Sequence, residues 1–151
     1  MLQIKGMLVS NLDIDKKNSL YFEYEEGKQN TYTFVFVNAL TGNTSAWNGV
    51  IGKRVRDAGH GYLTYNFRGQ INSSFEESID LTSEIIISDL LKLIDHLNLK
   101  NIILCGLSIG GLYAAIASLE EIDVKGLILI NTLRKPAPRL VLDKSCHGKC
   151  C

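Results

Sequence analysis

Apolar and polar residues follow one another in blocks, and the period within each block predicts its structure. Residues 20–25 alternate apolar and polar and stop at Gly27, which is typical of a half-buried strand. Residues 31–37 are β-branched or aromatic and almost continuously apolar, as in a strand buried on both faces. The same reasoning predicts strands over 61–67, 101–105 and 124–130.

Between these strands the apolar spacing lengthens to that of a helix. In residues 81–99 large aliphatic side chains recur at helical spacing, which predicts a helix packed on a sheet. These side chains are Ile86, Leu90, Leu93 and Leu97. A small-residue helix is predicted over 109–119. A further helix is predicted over 47–58, ending at Gly59. Its predicted apolar side consists of Trp47, Val50, Ile51 and Val55.

Strands that alternate with helices predict an α/β fold, with a mostly parallel sheet and helices on both faces. The pattern stops after residue 131. We therefore expect a domain over 1–135 and an irregular tail over 136–151, which we interpret as non-native sequence.

Composition excludes several classes of function. Sixteen basic and sixteen acidic residues give no net charge, which disfavours a nucleic-acid partner. Residues 1–10 contain no continuous apolar leader, and no spaced disulfide framework is visible, so a cytoplasmic location is expected. Residues 101–119 are apolar enough to suggest a membrane span, but their glycines and serines favour a strand followed by a helix.

The stretch 104-LCGLSIGG-111 is the strongest chemical signal in the chain. It places Ser108 between Gly106 and Gly110, after a predicted strand and before a predicted helix. Such a turn holds a serine in a strained conformation with its hydroxyl exposed above the sheet. A nucleotide-binding turn is the alternative, but it would need a different glycine spacing or a phosphate-binding lysine. No cofactor is therefore expected.

Together with two further landmarks, this turn resembles the N-terminal part of an α/β-hydrolase. In 36-FVNALTGNTSAWNGVI-51, Gly42 and Trp47 match the family's oxyanion loop. Asn38, Ala39 and Leu40 stand there in place of His, Gly and the donor residue. In 66-NFRGQINS-73, three residues match the next landmark, and Asn66 and Gln70 depart from it. The matching residues there are Arg68, Gly69 and Ser73.

The resemblance implies a serine hydrolase of the esterase type acting on a small ester-like substrate. Ser108 would be the nucleophile, and the backbone N–H groups of Ile109 and Leu40 would bind the oxyanion. Gly106 and Gly110 would be the glycines of the sharp turn at Ser108, which is called the nucleophile elbow in this family. If the loop needs a positive φ at Ala39, its Cβ would cost about 1 kcal/mol.

The resemblance also implies a histidine base and an acidic residue that complete a catalytic triad with Ser108. These two residues cannot be assigned as clearly. In this family they follow the serine in the order acid, then His. His60 is expected at the opposite end of the sheet, and His96 at the surface. His147, four residues after Asp143, has the right order but no predicted scaffold. The chain therefore resembles an incomplete α/β-hydrolase fold, truncated before the acid and the His, and we expect it to be inactive or impaired on its own.

Two alternatives to catalysis remain open, a non-catalytic truncated fragment and a binding module that uses the same cleft. Cys146, His147, Cys150 and Cys151 could supply four metal ligands, but their spacing is poor and no metal site is expected. Without further strands, 124–130 would be an apolar edge, which predicts self-association through it.

Overall fold

The computed structural model describes residues 2–4, 6–78 and 80–132, and these ranges contain seven strands and four helices. The strands are β1 (Leu2–Ile4), β2 (Met7–Asp13), β3 (Ser19–Glu25), β4 (Thr33–Val37), β5 (Gly61–Tyr65), β6 (Ile102–Leu107) and β7 (Val124–Ile130). The helices are α1 (Ser45–Asn48), α2 (Val50–Asp57), α3 (Ser83–His96) and α4 (Ile109–Ala117).

All the strands join one sheet in the order β1-β2-β3-β5-β4-β6-β7. From β5 to β7 every neighbouring pair is parallel, while β1, β2 and β3 pair antiparallel and β3 lies antiparallel to β5. The predicted α/β class is confirmed. The antiparallel strands β1 and β2 were not predicted, because short apolar pieces before residue 14 show no clear alternation.

Helices cover both faces of the sheet, as expected. On one face, Leu90 and Leu93 of α3 belong to the same buried cluster as Val35 of β4 and Leu63 of β5. The opposite face carries a smaller cluster around α1. There the ring of Trp47 lies 4.8 Å from the ring of Phe36. The parallel strands β4, β5 and β6 are therefore mostly buried between two helical layers, while β7 at the edge of the sheet is partly exposed.

The single helix predicted over 47–58 is wrong, because Gly49 separates α1 from α2. Gly49 has φ −72° and ψ −130°, which is not helical, so the side chains of α2 do not continue the faces of α1. Gly52 then faces the sheet, where a Cβ would contact the ring of Tyr62. Trp47 is buried as predicted, but Val50 and Ile51 are 69% and 48% exposed.

Helix α3 is shorter than the predicted 81–99 at both ends. Its start is set by the Thr82 hydroxyl, which accepts a hydrogen bond from the Ile85 N–H at 3.4 Å. Its end is followed by Asn98 with φ 48°, a left-handed residue that stops the helix. Gly59, with φ 85°, follows α2 in the same way, at the predicted position.

A buried ion pair joins α3 to the loop after β5. The guanidinium of Arg68 donates from Nε and Nη2 to the two carboxylate oxygens of Asp89, at 2.6 and 2.7 Å. These hydrogen bonds raise the pKa of Arg68 above its ordinary value. Both side chains are buried, so the pair fixes the loop on the helix.

Candidate active site

The chain turns sharply at Ser108, between the end of β6 and the start of α4. Ser108 has φ 56° and ψ −124°, a conformation that residues other than glycine rarely adopt. The strand before it, β6, is paired on both sides, with β4 and with the edge strand β7, and the helix after it is buried along one side. This is the strained strand-to-helix turn that the sequence predicts around Ser108.

The glycines on either side of Ser108 are required by close backbone contacts. A Cβ on Gly106 would collide with the backbone of Gly110 and Gly111. A Cβ on Gly110 would collide with the carbonyl oxygens of Val37 and Asn38 at the end of β4. The start of α4 therefore lies directly against the loop that follows β4.

Two backbone anchors determine where Ser108 lies. Its N–H donates to the carbonyl oxygen of Ile130 at 2.9 Å, and its carbonyl oxygen accepts from the N–H of Gly111 at 3.1 Å. Ile109 is the first residue of α4, so its N–H has no acceptor within the helix. An N–H in this position, next to the serine, is able to donate to an oxyanion.

The loop after β4 carries the second predicted donor, Leu40. The N–H of Gly42 donates to the carbonyl oxygen of Ala39 at 3.0 Å, which closes a tight turn. Ala39 does not have a positive φ, so the strain considered for its Cβ does not arise. Leu40 is 51% exposed, and its side chain lies on the surface of this loop.

Two residues that depart from the family pattern form a buried hydrogen-bond network beneath the loop. The Asn38 amide group donates to the carbonyl oxygen of Tyr65 at 2.7 Å and to Oδ1 of Asn66 at 3.2 Å. The indole N–H of Trp47 donates to Oδ1 of Asn38 at 2.6 Å, and the N–H of Thr44 donates to Oδ1 of Asn66 at 2.8 Å. Both Asn38 and Asn66 are neutral amides, so this contact carries no charge.

The only signal in the sequence for this network is that Asn38 and Asn66 depart from the pattern together. Each follows a strand, β4 or β5, and these two strands are parallel neighbours. The carboxyl ends of parallel neighbours meet at one edge of a sheet, so a paired departure there favours a direct contact.

The histidines of the described chain do not reach Ser108. His60 immediately precedes β5, at the opposite end of the parallel strands from Ser108, and its Nδ1 accepts from the Tyr32 N–H at 3.4 Å. His96 is exposed at the end of α3 and contacts the ring edge of Phe22. His147 and Asp143 lie outside the described residues.

Cys105 is the other nucleophilic side chain near the turn. Its thiol is buried in the sheet, and burial raises the pKa of Cys105 to about 12. A thiol with so high a pKa is almost entirely protonated at neutral pH, so it is a poor nucleophile. Ser108 is therefore the better candidate of the two.

The sequence also suggests a metal site and a membrane span as alternatives. Across residues 6–78 and 80–132, no group of three His, Cys, Asp or Glu side chains converges on a metal-sized site. The cysteines of the tail, Cys146, Cys150 and Cys151, lie outside the described residues. No helix in the described part of the chain has the length and apolarity to cross a bilayer.

Comparison with known proteins agrees with this fold. The family model of the alpha/beta hydrolase fold matches residues 32–144, well over half of the chain. This range includes the loop after β4 and the turn at Ser108. A comparison with curated protein sequences gave no significant match.

Solved structures give the same result for the fold. A carboxylesterase structure from Nitrososphaera gargenis superposes with a TM-score of 0.73 and 25% identity, covering 85% of this chain and 47% of that one. A hydrolase from Pseudomonas aeruginosa PA01 gives 0.74 and 24%, covering 86% and 48%. An esterase from Exiguobacterium antarcticum gives 0.68 and 24%, covering 76% and 42%. The chain therefore spans about half the length of these structures.

Proposed function

The chain belongs to the alpha/beta hydrolase family, and on that premise we propose that it is the nucleophile-bearing part of an esterase-type serine hydrolase. The observation that carries the proposal is the backbone of Ser108. A serine at φ 56°, packed between glycines that admit no Cβ, is costly to maintain without a use. The carboxylesterase and esterase among the similar structures favour an ester as the substrate.

The proposed reaction is acyl transfer to water. A base takes the Ser108 hydroxyl proton while Oγ bonds to the ester carbon, and the carbonyl oxygen becomes an oxyanion. The N–H groups of Ile109 and Leu40 donate to that oxyanion. Its collapse expels the alcohol, which takes the proton from the base, and water then cleaves the acyl-serine by the same steps.

The base is the part of the site that the described residues do not supply. His60 and His96 both lie far from Ser108, as their places in the fold require. We therefore expect the 151-residue chain to turn over esters slowly or not at all by itself. The same observation favours the alternative function, a non-catalytic fragment or binding module that retains the elbow without the chemistry.

A fluorophosphonate probe distinguishes these functions, because it bonds only to an activated serine. We expect the purified chain to gain the probe's mass at Ser108 only slowly, because the described residues supply no base, and Ser108→Ala to gain none. Ser118→Ala is the matched control, since Ser118 ends the same helix and its hydroxyl donates only to the carbonyl oxygen of Ala115. The control should label at the rate of the unmodified chain.

Labelling that survives in Ser108→Ala would place the reactive serine elsewhere and contradict the proposal. No labelling of a sample shown to be folded by circular dichroism would favour the non-catalytic alternative.

A further inference from the structure

Gln70 connects the loop after β5 to the oxyanion loop after β4. Its Nε2 donates to the carbonyl oxygens of Ala39 and Leu40, at 3.2 and 3.0 Å. Its Oε1 accepts from the N–H of Phe67 at 2.8 Å. Both ends of this amide are therefore used, one to hold the Gln70 side chain against its own loop and the other to hold the oxyanion loop.

The bond from Gln70 to Ala39, together with the bond from the Gly42 N–H, also fixes the direction of the Leu40 N–H. The carbonyl of Ala39 and the N–H of Leu40 belong to one planar trans peptide unit, in which they point in opposite directions. The Ala39 oxygen points toward Gln70 and the Gly42 N–H, which both donate to it. The Leu40 N–H must then point away from Gln70, and it has no acceptor among the residues that the structure describes.

We propose that Gln70 is a positioning residue, whose amide sets the orientation of the Leu40 N–H as an oxyanion donor. The inference rests on the proposed function. Asn38 and Asn66 support the loop from below through the neutral network already described, and Asn38 Nδ2 lies 3.5 Å from the Gln70 Oε1. Because none of these amides titrates, the loop keeps its orientation across the pH range in which the base changes charge.

Two substitutions separate positioning from simple packing. Gln70→Met keeps the length of the side chain and removes its donors. Gln70→Glu keeps the shape and, when ionised, places a carboxylate against two carbonyl oxygens. Gln29→Met is the matched control, because Gln29 is exposed at the opposite end of the sheet.

The first readout is the rate of fluorophosphonate labelling at Ser108. We expect Gln70→Met to label about 10- to 100-fold more slowly than the unmodified chain, the loss that a misplaced donor causes. We expect the labelling rate of Gln70→Glu, divided by that of the unmodified chain, to rise as the pH falls from about 8 to about 5. Protonation of the introduced carboxyl restores one donor, an effect that a packing role would not produce. Equal rates for all variants, or a ratio that does not change with pH, would overturn the proposal.

The second readout does not depend on chemistry. The NMR order parameter of the Leu40 amide should fall from about 0.85 to below about 0.6 in Gln70→Met and stay unchanged in Gln29→Met. If the unmodified chain fails to label, the proposed function fails, and this measurement alone decides the role of Gln70. An unchanged order parameter at Leu40 in Gln70→Met would then reject it.

Discussion

Ser108 has two unlike flanks in the sheet. Toward β4 and β5, the loops are joined by short hydrogen bonds of the buried Asn38 side chain, and Gly110 has no room for a Cβ against the backbone of Asn38. Toward β7, the described chain pairs with nothing beyond that strand. There Leu127, Ile128 and Leu129 are 39%, 43% and 47% exposed.

The difference shows that the two halves of such a site are built in different ways. The proposed oxyanion half is local, because it needs only the loops of three adjacent strands. The base and the acid follow later strands in this family, so they depend on whatever lies beyond β7. The described residues therefore contain the loops of the proposed oxyanion half, and no histidine among them reaches Ser108.

The largest expected effect comes from removing the buried ion pair on the side of β4 and β5. Arg68→Met leaves the Asp89 carboxylate buried without its cation, which should lower the free energy of unfolding by about 3 kcal/mol. Urea denaturation measures this. Lys53→Met breaks the exposed pair with Asp57 and should leave the midpoint unchanged. Equal shifts in the two variants would show that burial of the Arg68 pair contributes nothing.

A smaller loss is expected from a methyl group at the tight elbow. In Gly110→Ala the new Cβ meets the carbonyl oxygens of Val37 and Asn38, which should destabilise the fold by about 2 kcal/mol. Gly126→Ala in β7 is the matched control, since its Cβ meets only the tip of the Ile103 side chain. Thermal unfolding of both variants sharpens the comparison. A Gly110→Ala protein as stable as Gly126→Ala would mean that the elbow is not tightly packed.

The smallest effect concerns the exposed edge strand β7. Self-association through β7 stays a prediction, and Ile128→Lys should weaken it about tenfold, or about 1.4 kcal/mol, by placing a charge on the apolar edge. Sedimentation velocity over a concentration series measures this. Leu119→Lys alters an exposed leucine at the end of α4, outside β7, and serves as the control. If the unmodified chain stays monomeric throughout, self-association is ruled out.

Periodicity predicted the elements around Ser108 because those elements are local. The strand before it, the turn and the helix after it are each encoded within a few residues. Strand β2 was missed because its partner, β3, and not its own pattern, stabilises it. The sequence predicted one helix over 47–58, because the spacing of apolar residues does not show that the backbone leaves the helical conformation at Gly49.

The candidate site divides in the same way. The place of Ser108 followed from three glycines and a serine. The hydrogen bond that holds the loop at Leu40 did not follow, because its donor, Gln70, lies 30 residues further along the chain and bonds to backbone atoms. No pattern of side-chain types records such a bond before the strands are placed side by side.

The hydrogen bond from the Ser108 N–H to the carbonyl oxygen of Ile130 connects Ser108 to the edge strand β7. Fraying of β7 would break this bond and expose the Ser108 amide to solvent deuterium. The exchange rate of that single amide would then measure how often the hydrogen bond between Ser108 and Ile130 opens. Any segment that paired with β7 would slow this exchange and so steady Ser108 without contacting it.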